Sequence, residues 1–132
     1  WVMAFTNIPE AVSAGLLSVS SNKYVILLMI NVLLLWVGTF MEALAAIVIL
    51  TPILLPLALK IGVDPIHFGV IMVVNLAIGF VTPPVGVNLF VACGITKEKI
   101  ELVSRAAVPF IITMLIILML VTFWPQLSLF LL

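Results

Sequence analysis

Apolar residues run almost unbroken along this chain, and the polar positions that interrupt them fall at a few points. From Tyr24 to Leu59 the one charged residue is Glu42, near the middle, so two apolar arms, residues 24–37 and 43–59, flank the stretch Gly38-Thr39-Phe40-Met41-Glu42. At ~1.5 Å per residue the first arm covers ~21 Å and the second ~25 Å, both short of the ~30 Å hydrocarbon core of a bilayer. These lengths predict a re-entrant helical hairpin. Lys23 and Lys60 would lie on one membrane face, with Gly38, Thr39 and Phe40 at a buried tip whose irregular backbone is covered by protein or by a water-filled cavity. Two short, tilted spans with Glu42 at the opposite surface are the competing arrangement.

The next uncharged run, between Asp64 and Lys97, has the opposite problem. Its 32 residues would make a helix of ~48 Å, too long for one span and too short for two. Thr82-Pro83-Pro84 is the expected interruption, because each proline removes a backbone donor and Pro83 drives Thr82 from helical angles, with Gly79 and Gly86 freeing the flanks. Two half-helices follow, over 65–79 and 84–93, joined by an unwound link. Gly62 suits the end of the preceding helix, and Asp64-Pro65 supplies a cap and first-turn proline for the next. Gly94 and Thr96 repeat that stop-and-cap pattern.

At the start, residues 6–19 carry Asn7 as a candidate N-cap, Pro9 in the first turn and Glu10 three residues after the cap, which predicts a short interfacial helix and then a polar connector. At the far end KEKIELVSR opens a helix in water or headgroups, with Glu101 and Arg105 one turn apart. The apolar residues 106–124 continue it as a span, kinked at Pro109, with Trp124-Pro125 at the interface. The chain thus divides into an interfacial helix and connector (1–22), a re-entrant hairpin (23–60), a discontinuous transmembrane helix (61–95) and a C-terminal transmembrane helix (96–132). The class is an all-α membrane protein.

Composition agrees: 66% of residues are hydrophobic and 8% charged, with a mean hydropathy of +1.52. A net charge of zero argues against nucleic acid and against a polybasic lipid-binding tail. The lone Cys93 excludes an internal disulfide. Lys97, Lys99 and Arg105 outnumber Lys23 and Lys60, which places residues 97–105 in the cytoplasm and the hairpin mouth outside. Trp1 in place of Met, with no signal peptide, predicts a piece of a longer protein.

The chemistry left open is narrow. HExxH, GxSxG, paired aspartates and Cys/His clusters are all missing from the sequence, which argues against an enzyme. His67 is expected as an interfacial side chain, and Asn31 as a helix-packing residue. A broken helix, by contrast, exposes carbonyls that suit a hard cation and amides that suit an anion. Thr39 and Thr82 add hydroxyls, and Asn75 and Asn88 add amides near the break. Discontinuous helices of this kind build the midplane sites of secondary transporters. Glu42 is read as a supporting residue, with proton carriage the alternative. The competing reading of the whole is a non-transporting scaffold or assembly subunit whose breaks serve packing only.

GTFME followed by ILTPILLPLALKIGVDPIHFGVIMVVNLAIGFVTPPVGVNLFVACGI resembles the C-terminal portion of the large membrane subunit of TRAP (tripartite ATP-independent periplasmic) transporters, the DctM-type permease. The likeness runs from TNIP to PQLSLFL and is densest over 38–95, with departures at Glu42 and Ala45. It implies one half of an inverted-repeat elevator transporter in the bacterial inner membrane, importing organic acids of the C4-dicarboxylate or sialic acid type with Na⁺. The resemblance further implies a small membrane subunit, a periplasmic substrate-binding protein and a preceding N-terminal half as partners. Carried onto this chain, Gly38, Thr39, Phe40, Met41, Gly79, Thr82 and Gly86 match the sodium site, and Thr82, Pro83, Pro84 and Asn88 line the substrate cavity.

Overall fold

The computed structural model describes residues 8–130, whose regular structure is entirely helical. Its helices are α1 (Ile8–Val19), α2 (Lys23–Phe40), α3 (Ala43–Lys60), α4 (Pro65–Gly79), α5 (Val87–Thr96), α6 (Ile100–Phe123) and α7 (Pro125–Leu129). Asn7, the expected cap of α1, lies outside the described residues. The next three starts are set by side chains that accept an otherwise orphaned backbone N–H. Asn22 Oδ1 accepts from Tyr24 N at 3.0 Å, Glu42 Oε2 from Ala45 N at 3.1 Å, and Asp64 Oδ1 from Ile66 N at 2.8 Å.

Three boundaries differ from the sequence expectation. The backbone does not break at Gly38-Thr39-Phe40: α2 continues to Phe40 and the chain turns at Met41-Glu42. Glu42 is the reason, because as N-cap it fixes the start of α3 one residue later. The half-helix after the prolines begins at Val87, not at residue 84, and does not stop at Gly94, where nothing crowds the backbone. It runs on to Lys97, which takes left-handed angles (φ 57°) and closes the helix with its N–H on Cys93 O at 2.8 Å. The first half-helix, 65–79, is as expected. The last helix does not open at Lys97 but at Ile100, after the N-cap Lys99; from there IELVSR and the apolar run form one helix, α6, through Pro109, ~36 Å long at 24 residues.

Packing is centred on α4. Ile26, Leu27, Ile30 and Leu34 occupy one face of α2 and are buried in one core with Phe68, Ile71, Met72 and Leu76 of α4 and with Leu54, Leu57 and Ala58 of α3. The contact of α2 with α4 is the most extensive in the molecule, whereas α2 and α3 meet only slightly. The two arms therefore close on α4 rather than on each other. At their open end Lys23 Nζ donates to Gly62 O at 3.2 Å, which brings the start of α2 to the end of α3. At the other end Gly38 of α2 lies against Gly79 of α4, so these two helices run in the same direction. Helix α6 returns antiparallel: Ile111 and Leu118 pack with Ile78, and Phe123 stacks on Tyr24 with ring centroids 5.5 Å apart.

The Gly38–Gly79 crossing is backbone on backbone. A Cβ on Gly79 would stand 2.5 Å from Gly38 C and 2.6 Å from its Cα, closer than real Cβ contacts allow. Gly79→Ala is expected to push the helices apart and to cost ~1–3 kcal/mol or more, as overpacking does. Gly69→Ala, where a Cβ meets nothing within 4 Å, is expected to gain ~0.5–1 kcal/mol from helix propensity. Thermal unfolding of the two variants in detergent checks both, and equal midpoints would remove the crossing from the account.

Candidate functional site: the meeting of two helix ends

The crossing brings together the C-terminal ends of α2 and α4. Below Gly79 the chain leaves the helix through Phe80, whose N–H still reaches Leu76 O at 3.2 Å, while Val81 N and Thr82 N make tighter bonds to Ile78 O and Gly79 O. The link then folds back on itself. Asn88 N donates to Phe80 O at 3.1 Å, Pro83–Pro84 is cis, and Gly86 has φ 47° with Thr82 O and the Leu89 side chain each 3.0 Å from where a Cβ would stand. Any other residue at 86 would be strained both by its angles and by that carbonyl.

This geometry leaves acceptors without donors. Among the described residues the carbonyls of Gly38, Met41, Val81, Thr82, Pro83 and Pro84 accept no backbone hydrogen bond. Each helix C-terminus also carries about half a negative charge from its aligned peptides. Lys and Arg do not occur between residues 24 and 59 or between 65 and 96, and the nearest ionisable group, Glu42, is acidic and already caps α3. Two like-signed helix ends in apolar surroundings suit a cation held by neutral oxygens.

The hydroxyls expected at the site are there, each tied as a donor. Thr39 Oγ1 donates to Trp36 O at 2.7 Å and Thr82 Oγ1 to Ile78 O at 2.7 Å, so their lone pairs stay free to accept. Gly38, Thr39, Gly79 and Gly86 are buried and Met41 and Thr82 half-buried, while Phe40, Pro83, Pro84 and Asn88 are exposed on this chain. The first six gather at the two helix ends and the break. Asn88 lies on the outer side of α5 and joins them through its backbone N–H alone.

Two residues behave differently from expectation. His67 is covered by protein rather than open to its surroundings: it is 1% exposed, with Nδ1 2.8 Å from Ser128 Oγ, because α7 folds back over the first turn of α4. Among the described residues its Nε2 has no hydrogen-bond partner, although the Thr122 carbonyl lies near the ring. Asn75 does not open toward the break as a free amide: Nδ2 donates to Asn31 Oδ1 at 2.9 Å and to Ile71 O at 2.7 Å. Asn31 Nδ2 in turn donates to Thr122 Oγ1 at 2.9 Å. Asn31 as a packing residue was legible; its partners, 44 and 91 residues away, were not.

The fold is that of an all-α membrane protein in which one helix end meets the end of a second at a break in the chain. The chain belongs to the DctM component family of tripartite ATP-independent periplasmic transporters, whose family model matches residues 1–127. It is 60% identical over 98% of its length to an isethionate TRAP transporter permease protein, DctMQ, of Oleidesulfovibrio alaskensis. It is 43% identical over 98% to the C4-dicarboxylate TRAP transporter large permease protein DctM of Rhodobacter capsulatus. Against the sialic acid TRAP transporter large permease protein SiaM of Vibrio cholerae the figures are 40% over 99%. The chain spans 20%, 29% and 31% of these relatives' lengths.

The cap of α3 yields a test of Glu42. Glu42→Ala removes the acceptor for Ala45 N and is expected to lower stability by ~1 kcal/mol, the usual cost of a lost N-cap. Glu42→Asp, which can still cap, is expected to keep most of it. Thermal unfolding in detergent separates them, and a full-strength Glu42→Ala would show that the cap contributes nothing.

Proposed function

We propose that this chain is the C-terminal repeat of the permease subunit of a Na⁺-coupled secondary transporter, in which residues 23–60 form a re-entrant hairpin and residues 61–95 an interrupted transmembrane helix. One observation carries the reading: the negative ends of α2 and α4, with their open carbonyls, are brought together by Gly38 and Gly79, on two stretches of chain that carry no Lys or Arg. Beyond the crossing α5 adds 10 residues, ~15 Å, before the first charge at Lys97. The hairpin tip beside Gly79 is thus short of the far membrane face by about that length, as a re-entrant segment requires.

In this reading Na⁺ lies among Gly38, Thr39, Phe40, Met41, Gly79, Thr82 and Gly86, taking open carbonyls such as those of Gly38 and Met41 and the hydroxyl of Thr82, while Gly79 and Gly86, whose own carbonyls accept from Thr82 N and Leu89 N, shape the backbone around it. Small neutral oxygens suit a hard monovalent ion, and its charge offsets the two helix ends. The exposed Pro83, Pro84 and Asn88 then face a cavity completed by the preceding half of the permease, where an organic acid is held. The relatives' names supply the candidate substrates: isethionate, a C4-dicarboxylate or sialic acid. A periplasmic binding protein delivers the substrate, a small membrane subunit completes the assembly in the bacterial inner membrane, and the hairpin and interrupted helix move together as an elevator.

Uptake of labelled isethionate, succinate and sialic acid into proteoliposomes holding the complete permease and its binding protein tests the coupling. Replacing external Na⁺ by choline is expected to abolish transport of whichever substrate is taken up; undiminished uptake would sink the sodium claim. Thr82→Val is expected to raise the half-saturating Na⁺ concentration about tenfold, the scale of one lost polar contact. An unchanged Na⁺ response would remove Thr82 from the site.

A further inference from the structure

The buried amide pair next to the crossing is not absorbed by the site just described. Asn31, Asn75 and Thr122 are 1%, 0% and 2% exposed, and they form a directed chain of hydrogen bonds across three helices. Asn75 Nδ2 donates to Asn31 Oδ1, Asn31 Nδ2 donates to Thr122 Oγ1, and Thr122 Oγ1 donates to Leu118 O at 2.7 Å. Asn75 precedes Gly79 by one turn of α4, and Asn31 precedes Gly38 by two turns of α2, so the amides lie on the same contact stripe as the two glycines. Among the described residues Asn75 Oδ1 has no partner. The amide is therefore held by its donor side alone.

A glycine–glycine contact permits close approach but has no directional preference, and apolar side chains allow helices to slide or rotate by fractions of a turn. Among the described residues the Asn75–Asn31 bond is the one polar tie between α2 and α4. It fixes how far α2 has advanced along α4, and hence which carbonyls stand opposite one another at the crossing. Thr122 anchors the free end of Asn31 to α6, so the pair cannot rotate to another arrangement without giving up a second bond.

We infer that Asn75 is a positioning residue for the cation site: clamped by Asn31 and Thr122, it sets the register of α2 against α4 and thereby the affinity for the coupling ion, which it does not touch. The inference rests on the sodium reading of the crossing. A purely mechanical clamp would change stability alone. A register pin changes affinity at constant fold.

The test uses the complete purified permease in detergent, titrated with NaCl against choline chloride at constant ionic strength and followed by its unfolding temperature. The unsubstituted protein is expected to show saturable stabilisation by Na⁺. Asn75→Leu is expected to raise the half-saturating Na⁺ concentration by about tenfold, within the usual range of site-to-site coupling, beyond any fall in the unfolding temperature in choline. Asn31→Leu is expected to act in the same direction, and the double variant no more strongly than Asn75→Leu, because either one alone already breaks the Asn75–Asn31 bond. Thr122→Val keeps the side-chain shape, removes only the far anchor, and gives the same readout if Asn75→Leu fails to fold. Lower unfolding temperatures with unchanged Na⁺ affinity would overturn the inference and leave the sodium reading standing. No difference between NaCl and choline in the unsubstituted permease would overturn both.

Discussion

The contact between Gly38 and Gly79 is the constraint on which the other features depend. No side chain can stand between the two backbones there, so α2 and α4 approach to the limit set by their main chains. Their C-terminal carbonyls are carried to the same place, and the extensive apolar interface behind the crossing becomes possible. A single methyl group on Gly79 would disturb all of these at once. The proline break next to it then has a clear place in the design: it ends α4 where α2 also ends, so both helices turn away from the same point.

Helices in a bilayer gain nothing from leaving lipid for protein, since acyl chains are as apolar as leucine; close packing and buried hydrogen bonds hold them together. The chain shows both. Its apolar core between α2, α3 and α4 is made of Ile, Leu, Met and Phe at helical spacing. Among its buried polar groups, Asn31, Asn75, Thr122 and His67 are each bonded to a different helix. Charged and polar groups at helix starts, Asn22, Glu42 and Asp64, satisfy backbone donors that lipid cannot.

Much of this was legible in one dimension. Charges separated by known lengths marked the membrane segments, and Asp64-Pro65 with Thr82-Pro83-Pro84 bounded α4 to the residue. Gly38 misled because a glycine favours a turn and a close approach equally, and only the position of α4 decides which. Glu42 carried a usable signal, an acceptor just before an apolar run, which reads as a cap once the helix start is placed after it. The partners of Asn31 and the covering of His67 by α7 depend on tertiary packing, which no local pattern encodes.

The slight contact between α2 and α3 has a consequence for biosynthesis. When residues 23–60 emerge from the ribosome, the two arms have no shared core to close upon, because the surface that joins them belongs to α4. The hairpin is therefore not an autonomous unit of insertion. It stays open until residues 65–79 have followed it into the membrane and taken the place between its arms. Synthesis halted before residue 65 would leave the surfaces of α2 and α3 that face α4 exposed, with α1 packed on α3 but nothing joining the two arms, and would give the cell's quality-control machinery an unfinished hairpin to recognise.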